Sequence, residues 1–220
     1  MYMIIVGAGT IGARLIDIAI KEKNNVVVIE ENVERAKEIS NKYDVTVLNR
    51  DATSAESLRE AGSDRTDVLI TTTSDDAVNL MVVSIANRLE IPSIVSVVNE
   101  KDHAEFFRKL GANVMENPED VVANHLYTAV KRPQVDDFTI LSNGAQVFRI
   151  MVKEEGPLVG NSVSEIRKQE IIPSSVLIVA IERGGNVQIA EGETVIESED
   201  LLTFYSVQRV TDELIEKVTG

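Results

Sequence analysis

The sequence has no cysteine and no tryptophan, only two histidines, and an aromatic content of 4%. Without cysteine there are no disulfides, thiolate nucleophiles or Cys-built zinc sites. His103 and His125 stand far apart and do not make a histidine-rich metal site. Scarce aromatics argue against a single-strand nucleic-acid surface, which stacks bases on rings. Cations are short too: 22 Lys and Arg face 36 Asp and Glu, a net charge of −14. Binding a phosphate backbone rests on clustered Lys and Arg, so this balance argues against nucleic acid as a partner. No apolar run approaches the roughly 20 residues of a membrane helix. The opening Met-Tyr-Met-Ile-Ile-Val-Gly lacks the basic start and cleavage site of a signal peptide. The expectation is a cytoplasmic protein, brought to a membrane only by a partner.

What is present alternates in period. Residues 2–6, 26–30, 45–48, 67–71, 94–98 and 113–116 read as strands. Most are continuous and β-branched, as in a parallel sheet buried on both faces. Residues 11–23, 33–42, 55–61, 77–89 and 101–110 carry apolar side chains at helical spacing. Asn32 and Ser54 stand as N-caps, and Gly62 and Gly111 where a helix ends in a left-handed turn. Six strands with helices between them predict an α/β fold, a Rossmann-like doubly wound parallel sheet.

Near residue 118 the grammar changes. Pro118-Glu119-Asp120 opens a helix that runs to about Lys131, where Arg132-Pro133 stops it. Strand signals follow at 138–141, 147–152, 175–182, 187–189 and 201–205, parted by turns such as Ser142-Asn143-Gly144 and Gly184-Gly185-Asn186. Short helices are expected at 163–168 and 212–218. The organisation is then a nucleotide-binding domain over 1–117, a crossover helix and linker over 118–135, and a second, smaller α+β domain over 136–220.

The strongest chemical signal is Gly7-Ala8-Gly9-Thr10-Ile11-Gly12, between a strand and a helix. Gly7 permits the tight turn, Gly9 lets backbone approach a pyrophosphate, and Gly12 lets the helix pack close to the sheet. The helix N-terminus attracts the anion. Glu30 ends the next strand, 18 residues past Gly12, where a carboxylate accepts hydrogen bonds from ribose hydroxyls. It also repels a 2′-phosphate, which favours NAD over NADP. Removing Glu30 is expected to weaken nucleotide binding and to spare folding. The bland alternative is a glycine turn that only packs a helix on a sheet.

Further polar clusters fall where the third, fourth and fifth strands end. Asp51 is placed to reach an adenine amino group, with Ala52 and Thr53 lining the pocket. Thr72 and Thr73 offer hydroxyl and backbone donors beside the phosphates. Turn and cap chemistry uses the same residue types. Capping is the expected role of Asp75 and Asp76, and for Asp51 both readings stay open. Tyr127 and Lys131 have the spacing of a short-chain dehydrogenase pair. They follow the sixth strand without an upstream serine, so they read as one turn of an amphipathic helix. His103 and His125 read as helix-surface residues.

Taken in order, these motifs resemble the regulator-of-potassium-conductance (RCK) family. The glycine turn, Glu30 closing Val-Val-Val-Ile-Glu, Asp51-Ala52-Thr53, Thr72-Thr73-Ser74-Asp75-Asp76 with Asn79, and Gly111-Ala112-Asn113 resemble its N-terminal domain. Gly156-Pro157-Leu158-Val159-Gly160-Asn161-Ser162, Ile181-Glu182-Arg183-Gly184-Gly185 and Gly192-Glu193-Thr194 resemble its C-terminal domain. Within the family the string is most similar to the TrkA-type subunits of Trk potassium-uptake systems. The resemblance implies a cytosolic gating subunit, not an enzyme, assembled in rings beneath a membrane potassium transporter. It implies NAD or NADH as ligand, with ATP or ADP as the alternative seen in related Ktr-type members. By motif match it carries nucleotide contacts to Gly7, Gly9, Thr10, Ile11, Glu30, Asp51, Ala52 and Thr72. One departure is Val97, where many members carry a cation, which argues against a triphosphate. Another is length, one two-domain unit where many bacterial members hold two in tandem.

The competing function is an NAD-dependent oxidoreductase with a small substrate domain. Such an enzyme needs a proton donor facing the nicotinamide. Past residue 135 there is no His, and the only Tyr is Tyr205, inside an apolar strand. No catalytic or metal-binding residue is therefore assigned. A transcription regulator would need a basic face that is missing here. A homodimer that builds a tetramer or octamer is expected instead. Two helices carry spare apolar surface for it: Ala104, Phe106, Phe107 and Leu110 on one, Val121, Val122, Leu126 and Val130 on the other.

Overall fold

Six short β-branched runs pair into one parallel sheet in the computed structural model, which describes residues 1–116, 118–141 and 144–219. They are β1 (Tyr2–Val6), β2 (Asn25–Ile29), β3 (Thr46–Leu48), β4 (Val68–Thr71), β5 (Ile94–Val98) and β6 (Asn113–Glu116). Their order is β3-β2-β1-β4-β5-β6, two halves wound outward from β1. Consecutive residues of a strand point to opposite faces, yet Ile4 and Ile5 are both 0% exposed. Each face therefore has its own core. Ile5 packs with Ile16 of α1 (Thr10–Lys21) and Ile39 of α2 (Val33–Lys42). Ile4 lies in the other cluster, with Leu58 of α3 (Ala55–Glu60), Val83 of α4 (Asp76–Arg88) and Phe107 of α5 (Ala104–Lys109).

Local signals set the helix ends. Asn32 caps α2 and Ser54 caps α3, each accepting a backbone N–H three residues on. Gly62 and Gly111 take φ of +85° and +80° just past helix ends, a conformation nearly free of strain only for glycine. The single helix expected over 101–110 is a 3-10 turn, Lys101–His103, followed by α5. Phe106 and Phe107 also divide, since neighbours on a helix point about 100° apart. Phe107 is 0% exposed in the core, whereas Phe106 is 54% exposed.

The chain separates into two compact units, Met1–Val121 and Val122–Gly220, with the division inside α6 (Pro118–Lys131). The second unit holds β7 (Val135–Ile140), β8 (Gln146–Met151), β9 (Val176–Arg183), β10 (Asn186–Ile189) and β11 (Leu201–Ser206). They form an antiparallel sheet of order β10-β9-β11-β8-β7. One face alternates inward, so Phe148 and Phe204 stack at 5.0 Å across β8 and β11. Ile166 of α7 (Val163–Lys168) and Ile215 of α8 (Asp212–Thr219) belong to that core. Ser162 and Glu165 close a reciprocal capping box on α7. Of the expected Ser142-Asn143-Gly144 turn, Ser142 and Asn143 lie outside the described residues.

Candidate functional site

Strand register builds the site. Val6 pairs with Ile29 on one side and Thr71 on the other, so the next residues, Gly7, Glu30 and Thr72, meet at the carboxyl edge of the sheet. Here the chain turns from β1 to opposite sides, the point where open α/β sheets receive ligands. Gly7 takes φ +89° and donates its N–H to the Ile29 carbonyl at 2.9 Å. A Cβ at Gly12 would lie 2.1 Å from the Gly7 carbonyl oxygen and 2.7 Å from Thr72 Oγ1. Gly12 therefore lets α1 press against the turn itself. A Cβ at Gly9 would meet nothing nearer than the Arg35 guanidinium, at 4.0 Å.

The start of α1 combines two features: like α5 it has no side-chain cap, and it has no acid in its first turn. Side-chain oxygens of Asn32, Ser54, Asp75 and Ser162 cap α2, α3, α4 and α7. Gly9 starts α1 with no side-chain cap, and Thr10 and Ile11 are exposed in its first turn. Among the described residues, α1 is also the one α-helix with no acid in its first turn. In a chain of net charge −14 this leaves unsatisfied N–H groups and the positive helix end facing solvent. The arrangement suits an anion.

Glu30 borders this opening and is 6% exposed. Its Oε2 accepts the Ala8 N–H at 2.6 Å and its Oε1 the Asn32 N–H at 2.8 Å. Each carboxylate oxygen has a second lone pair, so ribose hydroxyls can still bond here. The expectation that Glu30 is dispensable for folding is corrected, because it ties the glycine turn to the start of α2. Arg35 was missed by sequence reasoning. It sits one turn into α2, with Nη1 4.0 Å from Glu30 Oε2, and so brings a cation to the lip of the turn. The signal was available: an arginine just after the ribose acid, on a helix whose N-terminus lies at the sheet's carboxyl edge.

The other expected residues serve mainly to shape loops. Asp51 Oδ1 accepts the hydroxyl of Thr53 at 2.7 Å and its N–H at 2.8 Å. These two bonds hold the carboxyl below its ordinary range, and Oδ2 has no partner among the described residues. Ala52 is buried beside it, and Thr53 is half-buried. Thr72 and Thr73 do not present free donors, which corrects that expectation. The Thr72 hydroxyl bonds the Val6 and Gly7 carbonyls at 3.2 and 3.0 Å, and its N–H bonds Val6. The Thr73 hydroxyl and N–H both go to Asn79 Oδ1, at 2.8 and 3.2 Å. Asn79 is wholly buried, also takes the Thr71 hydroxyl, and donates Nδ2 to Thr73 and Val97 carbonyls.

Asp75 caps α4, but Asp76 does not. Asp76 reaches across to the end of β5 and accepts the N–H groups of Asn99 and Glu100 at 2.8 and 2.9 Å. Burial pushes its carboxyl up, but these bonds and that to His103 Nδ1 outweigh burial and hold it below the usual range. His103 is thus a tie rather than a bare surface residue. Lys131 pairs with Asp212 at 2.9 Å, while Tyr127 stays exposed, so the dehydrogenase-like spacing marks a helix face.

Comparisons with known proteins identify the family. A model of the TrkA-N domain matches residues 3–118, and one of the TrkA-C domain matches residues 147–218. The Trk system potassium uptake protein TrkA homolog of Methanothermobacter thermautotrophicus is 28% identical over 197 residues, covering 90% of this chain and 89% of its own length. That of Pyrococcus abyssi is 30% identical over 206 residues, covering 89% and 88%. The Trk system potassium uptake protein TrkA of Vibrio alginolyticus is 29% identical over 215 residues, which cover 93% of this chain and 46% of that protein. Among solved structures, the GsuK channel bound to NAD shares the fold, with TM-score 0.64 at 18% identity over 96% of this chain and 40% of that one. GsuK bound to ADP matches 60% of this chain and 34% of its own, at 27% identity and TM-score 0.52. With both domain models matched in order, the chain belongs to the TrkA family of Trk-system potassium uptake proteins, built on RCK-type domains.

Proposed function

We propose that this chain is the nucleotide-sensing gating subunit of a Trk-type potassium transport system, acting from the cytosolic side on a membrane potassium transporter. In this reading residues 1–117 bind the nucleotide, 118–135 cross over, and 136–220 regulate. The observation that carries it is the uncapped, acid-free start of α1 between Glu30 and Arg35. Phosphate oxygens take the N–H groups of the first turn, and Gly9 leaves room for them. Glu30 takes the ribose. Gly7 and Gly12 shape the turn, Thr10 and Ile11 border the phosphates, and Thr72 and Thr73 hold the wall behind it. Asp51, Ala52 and Thr53 stand on the adenine side. A carboxylate at the ribose favours NAD or NADH, and the ADP-bound form of GsuK supports ADP. ATP has one more phosphate to neutralise, and Val97 near the end of β5 brings no cation for it. The relatives named as potassium uptake proteins support a role in potassium transport.

Isothermal titration with NAD, NADH, ADP and ATP tests this reading. Saturable binding of at least one of them is expected; heat from none would remove it. Glu30→Ala should weaken binding by about 1–3 kcal/mol through lost charged hydrogen bonds. It should also lower the melting temperature, because the Ala8 and Asn32 N–H groups lose their acceptor. Arg35→Gln should weaken binding less, by about 1 kcal/mol, and leave melting unchanged. An Arg35→Gln chain that binds like wild type would take Arg35 out of the site.

Gating a transporter requires coupling through shared interfaces, and α6 offers one. None of its residues is buried, and Val122, Leu126 and Val130 lie on one face with exposures of 59%, 62% and 82%. A second copy covering that face explains why a helix keeps its apolar side in water. The homodimer is then the unit from which a tetramer or octamer ring grows. Leu126→Asp should release monomers of 24.2 kDa in light scattering after size exclusion, because burying an unpaired carboxylate is strongly unfavourable. Phe106→Asp is the milder probe. Phe107→Asp would unfold the first unit instead, since Phe107 is in the core, and is no test of the interface. A wild-type chain that elutes as that same monomer at micromolar concentration would sink the assembly.

A further inference from the structure

The second unit contains a cavity of about 160 Å³, bordered by α6, the β7–β8 pair and the segment before α8. Gln146 lines it and is 5% exposed. Its Oε1 accepts the Val210 N–H at 2.7 Å, which decides the orientation of the amide. Nε2 is therefore left as a donor without a partner among the described residues. Native proteins satisfy nearly all such buried groups, and one left unmade costs free energy. Arg209 lines the same cavity, and its guanidinium also has no partner among the described residues.

The charge around the cavity points the same way. Lys131 and Arg132 both pair with Asp212, at 2.9 and 2.7 Å, and Arg132 also donates to the Val210 carbonyl at 3.0 Å. Two cations thus hold one carboxylate while Arg209 adds a third positive charge to the lining, in a chain with 36 acids against 22 bases. Ordered water would satisfy Nε2, but water does not call for that excess of positive charge. Phe138, under the Arg132 guanidinium, and Ile140 supply an apolar stretch of wall, beside the polar Asn124 and Thr128.

We propose that this cavity is a second ligand site, for a small organic anion with an oxyanion head and a compact apolar body. The head takes the Gln146 Nε2–H and the Arg209 guanidinium. The body lies against Phe138 and Ile140. Tyr127 and Lys131 of α6 form the opposite wall, on the face turned away from Val122, Leu126 and Val130. Occupancy therefore fastens the polar side of α6 to the second unit. The site belongs to the second unit and the glycine turn to the first, and the proposal does not depend on what binds at that turn.

Isothermal titration of the full chain with phenyl phosphate and with benzoate tests the proposal and tells a phosphate head from a carboxylate. Saturable binding of either is expected, at one site per chain. Arg209→Gln should weaken it about tenfold, the loss of one charged hydrogen-bonding partner. Gln146→Glu keeps the acceptor for Val210 but replaces the donor with an oxygen, and should abolish binding. Arg209 is exposed, so its variant keeps the test open if Gln146→Glu folds poorly. Both variants should leave ADP titrations unchanged. No saturable binding of either probe at millimolar concentration overturns the proposal, as does binding that Arg209→Gln leaves within twofold of wild type.

Discussion

Gly12→Ala is expected to destabilise the first unit by about 3 kcal/mol and to abolish nucleotide binding. Helix propensity alone runs the other way, since alanine inside a helix is favoured over glycine by about 1 kcal/mol. Sterics decide the sign. The added Cβ would stand 2.1 Å from the Gly7 carbonyl oxygen and 2.7 Å from Thr72 Oγ1. The first is backbone, and the second is held by bonds to Val6 and Gly7. Neither can swing aside, so α1 must lift off the turn and take its free N–H groups with it. Gly9→Ala is the matched control. Its φ of −65° suits any residue, and its Cβ would meet nothing within 4.0 Å except the end of Arg35. That variant should melt like wild type and still bind nucleotide about tenfold more weakly, because the methyl group occupies the phosphate's approach. Urea unfolding followed by ADP titration of both variants separates the two effects. A Gly12→Ala chain with unchanged unfolding midpoint and unchanged affinity would show that the turn yields, and that Gly12 is not its keystone.

Much of this was legible because the governing interactions are local. β-branched runs became strands, Asn32 and Ser54 became caps, and Gly7, Gly62 and Gly111 took positive φ. The glycine turn and Glu30 meet because strand register places them there, and the doubly wound order follows from the alternation itself. What escaped depends on which side chains meet once the elements pack. Thr72 and Thr73 are hydroxyls at a strand end, which reads equally as donor or as brace. Asn79, six residues beyond Thr73, takes the Thr73 donors and makes them braces. Asp76 has the composition of a cap, but Asp75 holds that post, and its own carboxylate crosses 23 residues to Asn99. Arg35 gains meaning only when α2 brings it beside Gly9. Phe106 and Phe107 are the same residue type in adjacent positions, and only the packing of α5 says which one faces the core.

The second unit carries the other large effect, at Arg183. Asp200 is 0% exposed and receives two bonds from that guanidinium, Nε to Oδ1 at 2.7 Å and Nη2 to Oδ2 at 2.8 Å. Burial pushes the Asp200 carboxyl up, but the Arg183 bonds and the Glu197 N–H outweigh it and hold the group below its ordinary range. Arg183→Met should cost about 3 kcal/mol, the low end for stripping the partner from a buried charge, since water reaches the arginine side. The sign of its pH dependence is a sharper test. In the wild type the depressed pKa contributes stability above the unfolded value, lost as pH falls through the lower folded value. In Arg183→Met burial prevails and raises the folded pKa above the unfolded one. The folded variant then holds a proton that the unfolded chain releases, so its stability falls as pH rises between those two values. The gap between variant and wild type should therefore be widest at neutral pH and narrow toward about pH 4, near the ordinary carboxyl value. Adding Asp200→Asn to the variant should recover most of the loss at neutral pH, because the two residues act as one unit. Urea unfolding across that range checks both expectations. A gap that stays constant with pH, or a double variant no more stable than Arg183→Met, would show that Asp200 is not held ionised by Arg183.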